Sequence, residues 1–350
     1  MKSFIGALCA VVLSLTALAG TAAEQPAVIR IGAPDLSAGP KPFFAGPLGL
    51  AHLRGQLEQA FATDGIKIEW HFFKGAGPAV NEALANDQLD FAGLGDLAAI
   101  IGRASGLDTR LLAGGRGSNS FLAVTPEAGI HQLANLRGKR VGVFRGTADQ
   151  LAFARALESV GLSERDVRVV SLDWNAARAA LAARQIDATW GGMGLLAARR
   201  QGIEIPVSTK QMPLTATTQS GLIGRQAFIE RYPEATQKLL DEYVKNAAWI
   251  SDPAHHAEYI RLMAEQSSIP AALFDSEMAD TNPNFRYSPR LDPFLRNSFQ
   301  DSIERAASLR LIRRTFKVDD WFDPRFVDAA VQRLGLEQRW PDYAADGRAL

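Results

Sequence analysis

The sequence predicts an α/β protein made of two similar lobes, each a mostly parallel sheet flanked by helices, with a helical C-terminal extension. Three observations carry this. From Val28 to Gln201, short strand-like runs alternate with helical patterns of about 10–15 residues, the pattern of βαβ units. The pattern echoes itself: Ala83–Asp90 (ALANDQLD) is similar to Ala180–Asp187 (ALAARQID) at an offset of 97, and Arg30-Ile31-Gly32 to Arg140-Val141-Gly142 at an offset of 110. After Leu222 the periodicity is helical almost throughout. The length of 350 residues suits about two domains.

Residues 1–23 stand apart from the fold. Lys2 supplies a positive start, Phe4 to Leu18 an apolar run, and Thr21-Ala22-Ala23 small residues before Glu24. This is the layout of a secretory signal peptide, with cleavage expected after Ala23. The run is shorter than the ~20 residues of a membrane span. The one Cys, Cys9, lies inside it and not just behind it, which argues against lipid anchoring. Losing Lys2 leaves 37 basic against 38 acidic residues, so the exported chain would carry a net charge of −1 and no disulfide.

The elements follow in order. Val28–Ala33 reads as a buried strand, and 37–49 as a Gly- and Pro-rich loop. Leu53, Leu57, Ala60 and Phe61 recur at helical spacing, whereas Ile66, Ile68, Trp70 and Phe72 alternate as in a strand. Pro78 suits the first turn of a helix carrying Val80, Ala83 and Leu84. A strand at 89–93 leads into a helix from Asp96 to about Ala104, then strands at 110–113 and 121–125. The second series is strand 139–144, helix 147–160, strand 167–172, helix 175–183, strand 186–190 and helix 195–201. Helices are then expected at about 226–250, 254–266, 270–279, 292–309 and 324–334.

Several functions are disfavoured. Lys+Arg and Asp+Glu are both 38, which gives no basic footprint for nucleic acid. A single Cys excludes a Cys-based zinc site, and the five His lack metal-ligand spacing, so no metal or cofactor is expected. Gly93-x-Gly95-x-x-Ala98 matches a dinucleotide fingerprint only loosely: it is not in the first βαβ unit, and no acidic residue closes a strand ~20 residues on. Neither a G-x-S-x-G elbow nor a phosphate-binding P-loop occurs.

Ligands of open α/β sheets bind beyond the C-terminal ends of the strands. Four strand-to-helix turns lie there: Lys74–Pro78, Gly93–Asp96, Arg145–Thr147 and Asp173–Asn175. The helix N-termini that follow offer unpaired N–H groups and partial positive charge to an anion. Trp190, before Gly191-Gly192-Met193-Gly194, reads either as core or as a wall for a ligand's organic part. Arg116, among small residues, reads either as a solvated loop side chain or as an anion clamp.

These residues, above all Glu82–Gly106, Leu133–Leu162 and Ala176–Trp190, resemble the periplasmic solute-binding proteins of ABC importers, specifically the sulfonate/taurine/nitrate-binding family. The resemblance runs from about Ile29 to Leu334. It implies a two-lobed periplasmic binding protein fold of type II, with lobe I at 24–122 plus 216–350 and lobe II at 123–215, crossing near Phe121–Pro126 and Thr215–Gly224. It also implies a non-enzymatic, monomeric receptor in the periplasm that takes a small organic anion and meets an inner-membrane permease. Carried over by position, the ligand loops are Gly95-Asp96 and Gly146-Thr147-Ala148, with Ser37 as a further donor. Asn119 would add a hydrogen bond, Trp190 and Met193 would meet the carbon part, and Asp96 would cap its helix or bind a ligand amine. The long 37–49 loop and the Gly191–Gly194 run depart from the family pattern, which points to a guest larger or more apolar than taurine. Nitrate, aromatic carboxylates, pyrimidine precursors, a sensory role and an enzyme on the same fold are the rival readings.

Overall fold

The computed structural model describes residues 24–279 and 281–350; the segment read as an export signal, with Cys9, lies outside the described residues. β1 (Val28–Pro34) buries Ile29 and Ile31. The following loop leads into α1 (Gly46–Leu53) and α2 (Gln56–Ala62). Next come β2 (Lys67–Phe73), α3 (Ala76–Ala85), β3 (Phe91–Gly95), α4 (Asp96–Ala104) and the long β4 (Thr109–Ser118). The second series runs β5 (Phe121–Val124), β6 (Arg140–Val143), α5 (Ala148–Glu158), β7 (Arg168–Ser171), α6 (Trp174–Ala182), β8 (Ala188–Gly191) and β9 (Glu204–Ser208). β10 (Thr218–Arg225) precedes the helical part: α7 (Gln226–Arg231), α8 (Pro233–Ile250), α9 (His256–Ser267), α10 (Ala271–Met278), α11 (Pro283–Arg286), α12 (Pro293–Ser308) and α13 (Arg325–Arg333).

Two five-stranded sheets result, ordered β2-β1-β3-β10-β4 and β7-β6-β8-β5-β9. In each, three strands pair in parallel, and the strand arriving from the other sheet, β10 or β5, runs antiparallel between two neighbours. The sheets are therefore mixed where mostly parallel ones were expected, because a crossing strand enters from the opposite direction. The chain changes sheet between Ser118 and Phe121 and returns between Ser208 and Thr218. Residues 121 and 122 thus belong to the second sheet, earlier than the expected boundary.

The internal echo is a shared structural device. Arg30 Nε and Nη2 donate to the two carboxylate oxygens of Asp90 at 3.1 and 2.9 Å, and its backbone N–H also donates to Asp90 Oδ2 at 2.9 Å. Arg140 does the same to Asp187, at 3.2, 2.8 and 2.7 Å. Asp87 and Arg184, three residues before each acid, both take positive φ, 57° and 58°. One fork ties β1 to the start of β3, the other β6 to the start of β8.

The largest core packs α4, α8, α12 and α13 around the first sheet, with Phe91, Phe299 and Trp321 inside. A second core holds Phe153 and Trp190 against β5, β6 and β8. A third lies between the loop before α1 and helices α8 to α10. The single helix expected over 226–250 is split, because Pro233 has no N–H and holds Tyr232 at φ −129°, ψ 60°, outside helical geometry. The stretch read as a helix at 195–201 is a 3-10 run, Met193–Gln201.

Candidate functional site

A cleft of about 570 Å³ opens where the C-terminal ends of the two sheets face each other, walled on a third side by α9 to α11. Among the helices that begin there, α3 after Gly75, α4 after Gly95 and α5 after Thr147 have no side-chain cap, nor has α1 after Ala45, whose Gly46 N–H donates to the Tyr259 hydroxyl at 3.0 Å. By contrast, α6 is capped by Asp173, whose Oδ1 accepts from the N–H groups of Asn175 and Ala176.

The starts of α3, α4 and α5 nearly touch. A Cβ on Gly95 would lie 2.8 Å from that of Ala148, and one on Gly77 2.3 Å from that of Ala98 and 3.5 Å from the Gly146 carbonyl oxygen. Real Cβ atoms do not approach so closely as the first two, so glycine at 95 lets α5 of the second sheet seat on the start of α4, and glycine at 77 lets α3 pack against α4 beside it. The arrangement gathers N–H dipoles from both sheets on one small region.

Of the sequence-predicted site residues, Ser37, Gly95, Asn119, Thr147, Ala148 and Met193 line this cleft. Their hydroxyls and amide are partly committed. Ser37 Oγ donates to Gly39 O at 3.1 Å, Thr147 Oγ1 to Phe144 O at 2.7 Å, and Asn119 Nδ2 to Glu277 Oε1 at 3.3 Å. Three residues fall elsewhere. Asp96 is fully buried behind the cleft: its Oδ1 accepts from Leu97 N at 2.7 Å, its Oδ2 accepts from Ser302 Oγ at 2.9 Å, and Arg155 lies 3.8 Å away. Burial raises its pKa, opposed by Arg155, so neither a ligand amine nor a conventional cap describes it. Gly146 gives its N–H to Gln150 Oε1 at 2.9 Å and does not line the cleft. Trp190 packs on Phe153, ring centroids 5.7 Å apart, because its position on β8 points it into the second core.

Arg116 follows neither sequence reading. It lies on β4, fully buried, with Nη1 donating to Asp292 at 2.6 Å and Nη2 to Arg290 O at 2.6 Å, among Phe285, Phe294 and Tyr343. Burial lowers its pKa and Asp292 opposes that. It braces the wall instead of presenting a free fork.

Asp149, Arg178, Glu277 and Arg286 line the cleft and escaped the sequence reading, and Trp174 lies in the Asp173–Asn175 turn that it marked. Asp149, in the first turn of α5, accepts from Trp174 Nε1 at 2.8 Å and from Ser120 Oγ at 3.4 Å; burial pushes its carboxyl up to about 6. Trp174 opens α6, and Arg178, one turn later on the same face, is half-buried and bonded to Asn175. Burial lowers the Arg178 pKa and Asp173 opposes that. Glu277 and Arg286, from α10 and α11, form a buried pair at 3.1 Å; burial works against the Arg286 charge, but Glu277 together with Tyr287 and Tyr259 outweighs it and holds the guanidinium above its ordinary value. The i, i+4 pairing of Trp174 with Arg178 was visible in the sequence; the Glu277–Arg286 pair depends on how α10 folds back.

Among the described residues, no group of three His, Cys, Asp or Glu is placed to hold a metal, and no helix is long and apolar enough to cross a membrane.

Known proteins share this architecture. A Bacillus subtilis (strain 168) protein named for aliphatic sulfonate binding is 26% identical over 82% of this chain and 85% of its own. The crystal structure of a periplasmic sulfonate-binding protein of a sulfonate ABC transporter from Methylobacillus flagellatus KT superposes with a TM-score of 0.78 at 29% identity, over 91% of this chain and 97% of that one. The desulfurization enzyme DSZB shares the fold at 17% identity and a TM-score of 0.68, over 88% and 100% of the two chains. The family profile described as NMT1/THI5 like matches residues 60–255, more than half of the sequence, and the chain belongs to that family.

Proposed function

We propose that the chain is the periplasmic solute-binding component of an ABC importer, taking a small organosulfonate-like anion. Two lobes, one built on each sheet, close on the guest about the crossings at 119–120 and 209–217. Contacts to both lobes stabilise the closed form, which then docks on an inner-membrane permease. The observation that carries this is the meeting of uncapped α4 and α5, from opposite sheets, at Gly95 and Ala148. The amides there and the Arg178 guanidinium hold the head group, and Thr147 and Asn119 border it. The kinship with sulfonate-binding proteins supports the same reading.

An enzyme is the second reading, favoured by the fold shared with DSZB. Against it, the Ser37 and Thr147 hydroxyls donate to carbonyl oxygens and not to a base. Thermal unfolding in the presence of ethanesulfonate, taurine, arylsulfonates, nitrate and benzoate tests the proposal. Sulfonates should raise the melting temperature dose-dependently and be recovered unchanged. Stabilisation by none of the anions would overturn it, and turnover of a bound sulfonate would favour the enzyme.

A further inference from the structure

We propose that the guest is an arylsulfonate-class anion, its ring held between Phe44 of the first lobe and Trp174 of the second. This rests on the anion-receptor reading above and names its ligand class. A two-carbon sulfonate has six heavy atoms. The cleft of about 570 Å³ falls in the ~300–1,000 Å³ range of sites that enclose much larger ligands.

The walls are apolar and aromatic on both sides. Phe44 lies over the end of β3, where a Cβ at Gly93 would come within 2.8 Å of its ring; glycine there makes room for it. Trp174 is fixed by two contacts, its Nε1 donating to Asp149 at 2.8 Å and its ring standing edge-on to Phe144 with centroids 5.1 Å apart. Both rings are half-buried and keep apolar surface toward the cleft. Met193 and Phe274 close the far wall from the third core. Held aromatic rings lose little freedom on binding and favour offset or edge-on contact with another ring.

The charge lies where such a guest needs it. Arg178 sits one helical turn after Trp174 on the same face of α6, so a sulfonate on the guanidinium places its attached ring over the indole. Glu277 and Arg286 neutralise each other on the opposite wall.

Isothermal titration of the purified protein with naphthalene-2-sulfonate and with ethanesulfonate tests this. The aryl ligand should bind at least tenfold tighter. Trp174→Ala should bring that ratio near one, whereas Arg178→Gln should weaken both ligands alike. Gly192→Phe is a second probe: an added Cβ at Gly192 meets nothing within 4 Å, so its bulk enters open space at the lining and should also lower the ratio, whether or not Trp174→Ala folds. An ethanesulfonate affinity equal to or above that of the aryl ligand, or a ratio that Gly192→Phe leaves unmoved, would overturn the inference and leave the anion receptor standing. Binding of neither sulfonate would overturn both.

Discussion

Asp149 carries a charge where charge is costly. It is buried, it fixes Trp174, and it stands beside the proposed anion site. With its pKa raised from 3.8 to about 6, the folded protein holds this proton more tightly than the unfolded chain. Stability therefore falls as pH rises from about 4 to 6, by roughly 3 kcal/mol at ~1.36 kcal/mol per unit. Asp96, raised in the same direction, contributes with the same sign. Asp149→Asn should flatten its share of this slope in urea unfolding curves at pH 4, 5, 6 and 7, since the amide oxygen still accepts from Trp174. Sulfonate affinity in the native protein should be greater at pH 5 than at pH 7.5, and the variant should lose that difference. Its neighbours Ser120 and Trp174 do not titrate in this range, and Arg178 stays charged through it. A slope unchanged by the substitution would show that Asp149 is not the titrating group. Asp149 went unread because its sequence neighbours Thr147 and Ala148 looked like the whole loop. Trp190 misled for the reverse reason: a Trp before a glycine run resembles a ligand wall, but the strand's alternation sends it inward.

Among the elements, α5 binds the two sheets together most firmly. Its Arg155 reaches across to the first lobe, with Nη2 donating to Asp301 at 2.9 Å and to Ser302 Oγ at 2.7 Å, and Asp96 3.8 Å from Nη1. One turn on, Glu158 pairs with Arg305 of α12. Arg155→Ala would leave Asp96 buried without its cation. Removing one partner of a buried pair costs about 3–5 kcal/mol, so urea unfolding should show a loss of that size. The rim pair Arg305–Glu158 should cost under about 1 kcal/mol when Arg305→Ala is measured the same way. A loss at Arg155→Ala no larger than at Arg305→Ala would contradict the clasp. At this scale the sequence was most readable. The repeats ending in Asp90 and Asp187 proved to be matched Arg–Asp forks, and periodicity placed most helices to within a few residues, although α1 begins inside the 37–49 stretch read as a loop and α11 was not expected. The breaks it missed were local, as at Pro233. Arg155 was invisible because its partners lie about 60 and 146 residues away.

At the scale of the whole molecule, the two sheets repeat one order, and the chain crosses between them twice. The two crossings, 119–120 and 209–217, are bonded to each other: Thr209 N donates to Ser120 O at 3.0 Å and Ser120 N to Thr209 Oγ1 at 2.9 Å. The helical extension is tied to both. Lys210, in the return crossing, donates to the carbonyl oxygens of Ser276 and Ala279 at 2.7 and 3.1 Å, and Asn119, in the outward one, bonds Glu277. Alternation of strands and helices made the two-lobed plan legible. How the extension folds over the crossings was not, because those contacts join residues far apart in sequence. The most direct test of ligand-driven closure is small-angle X-ray scattering of the purified protein with and without a saturating sulfonate. The radius of gyration should be larger without ligand and contract on binding to the value calculated for the arrangement with Gly95 against Ala148. Superimposable curves, with binding verified in the same samples, would contradict a receptor that closes around its guest.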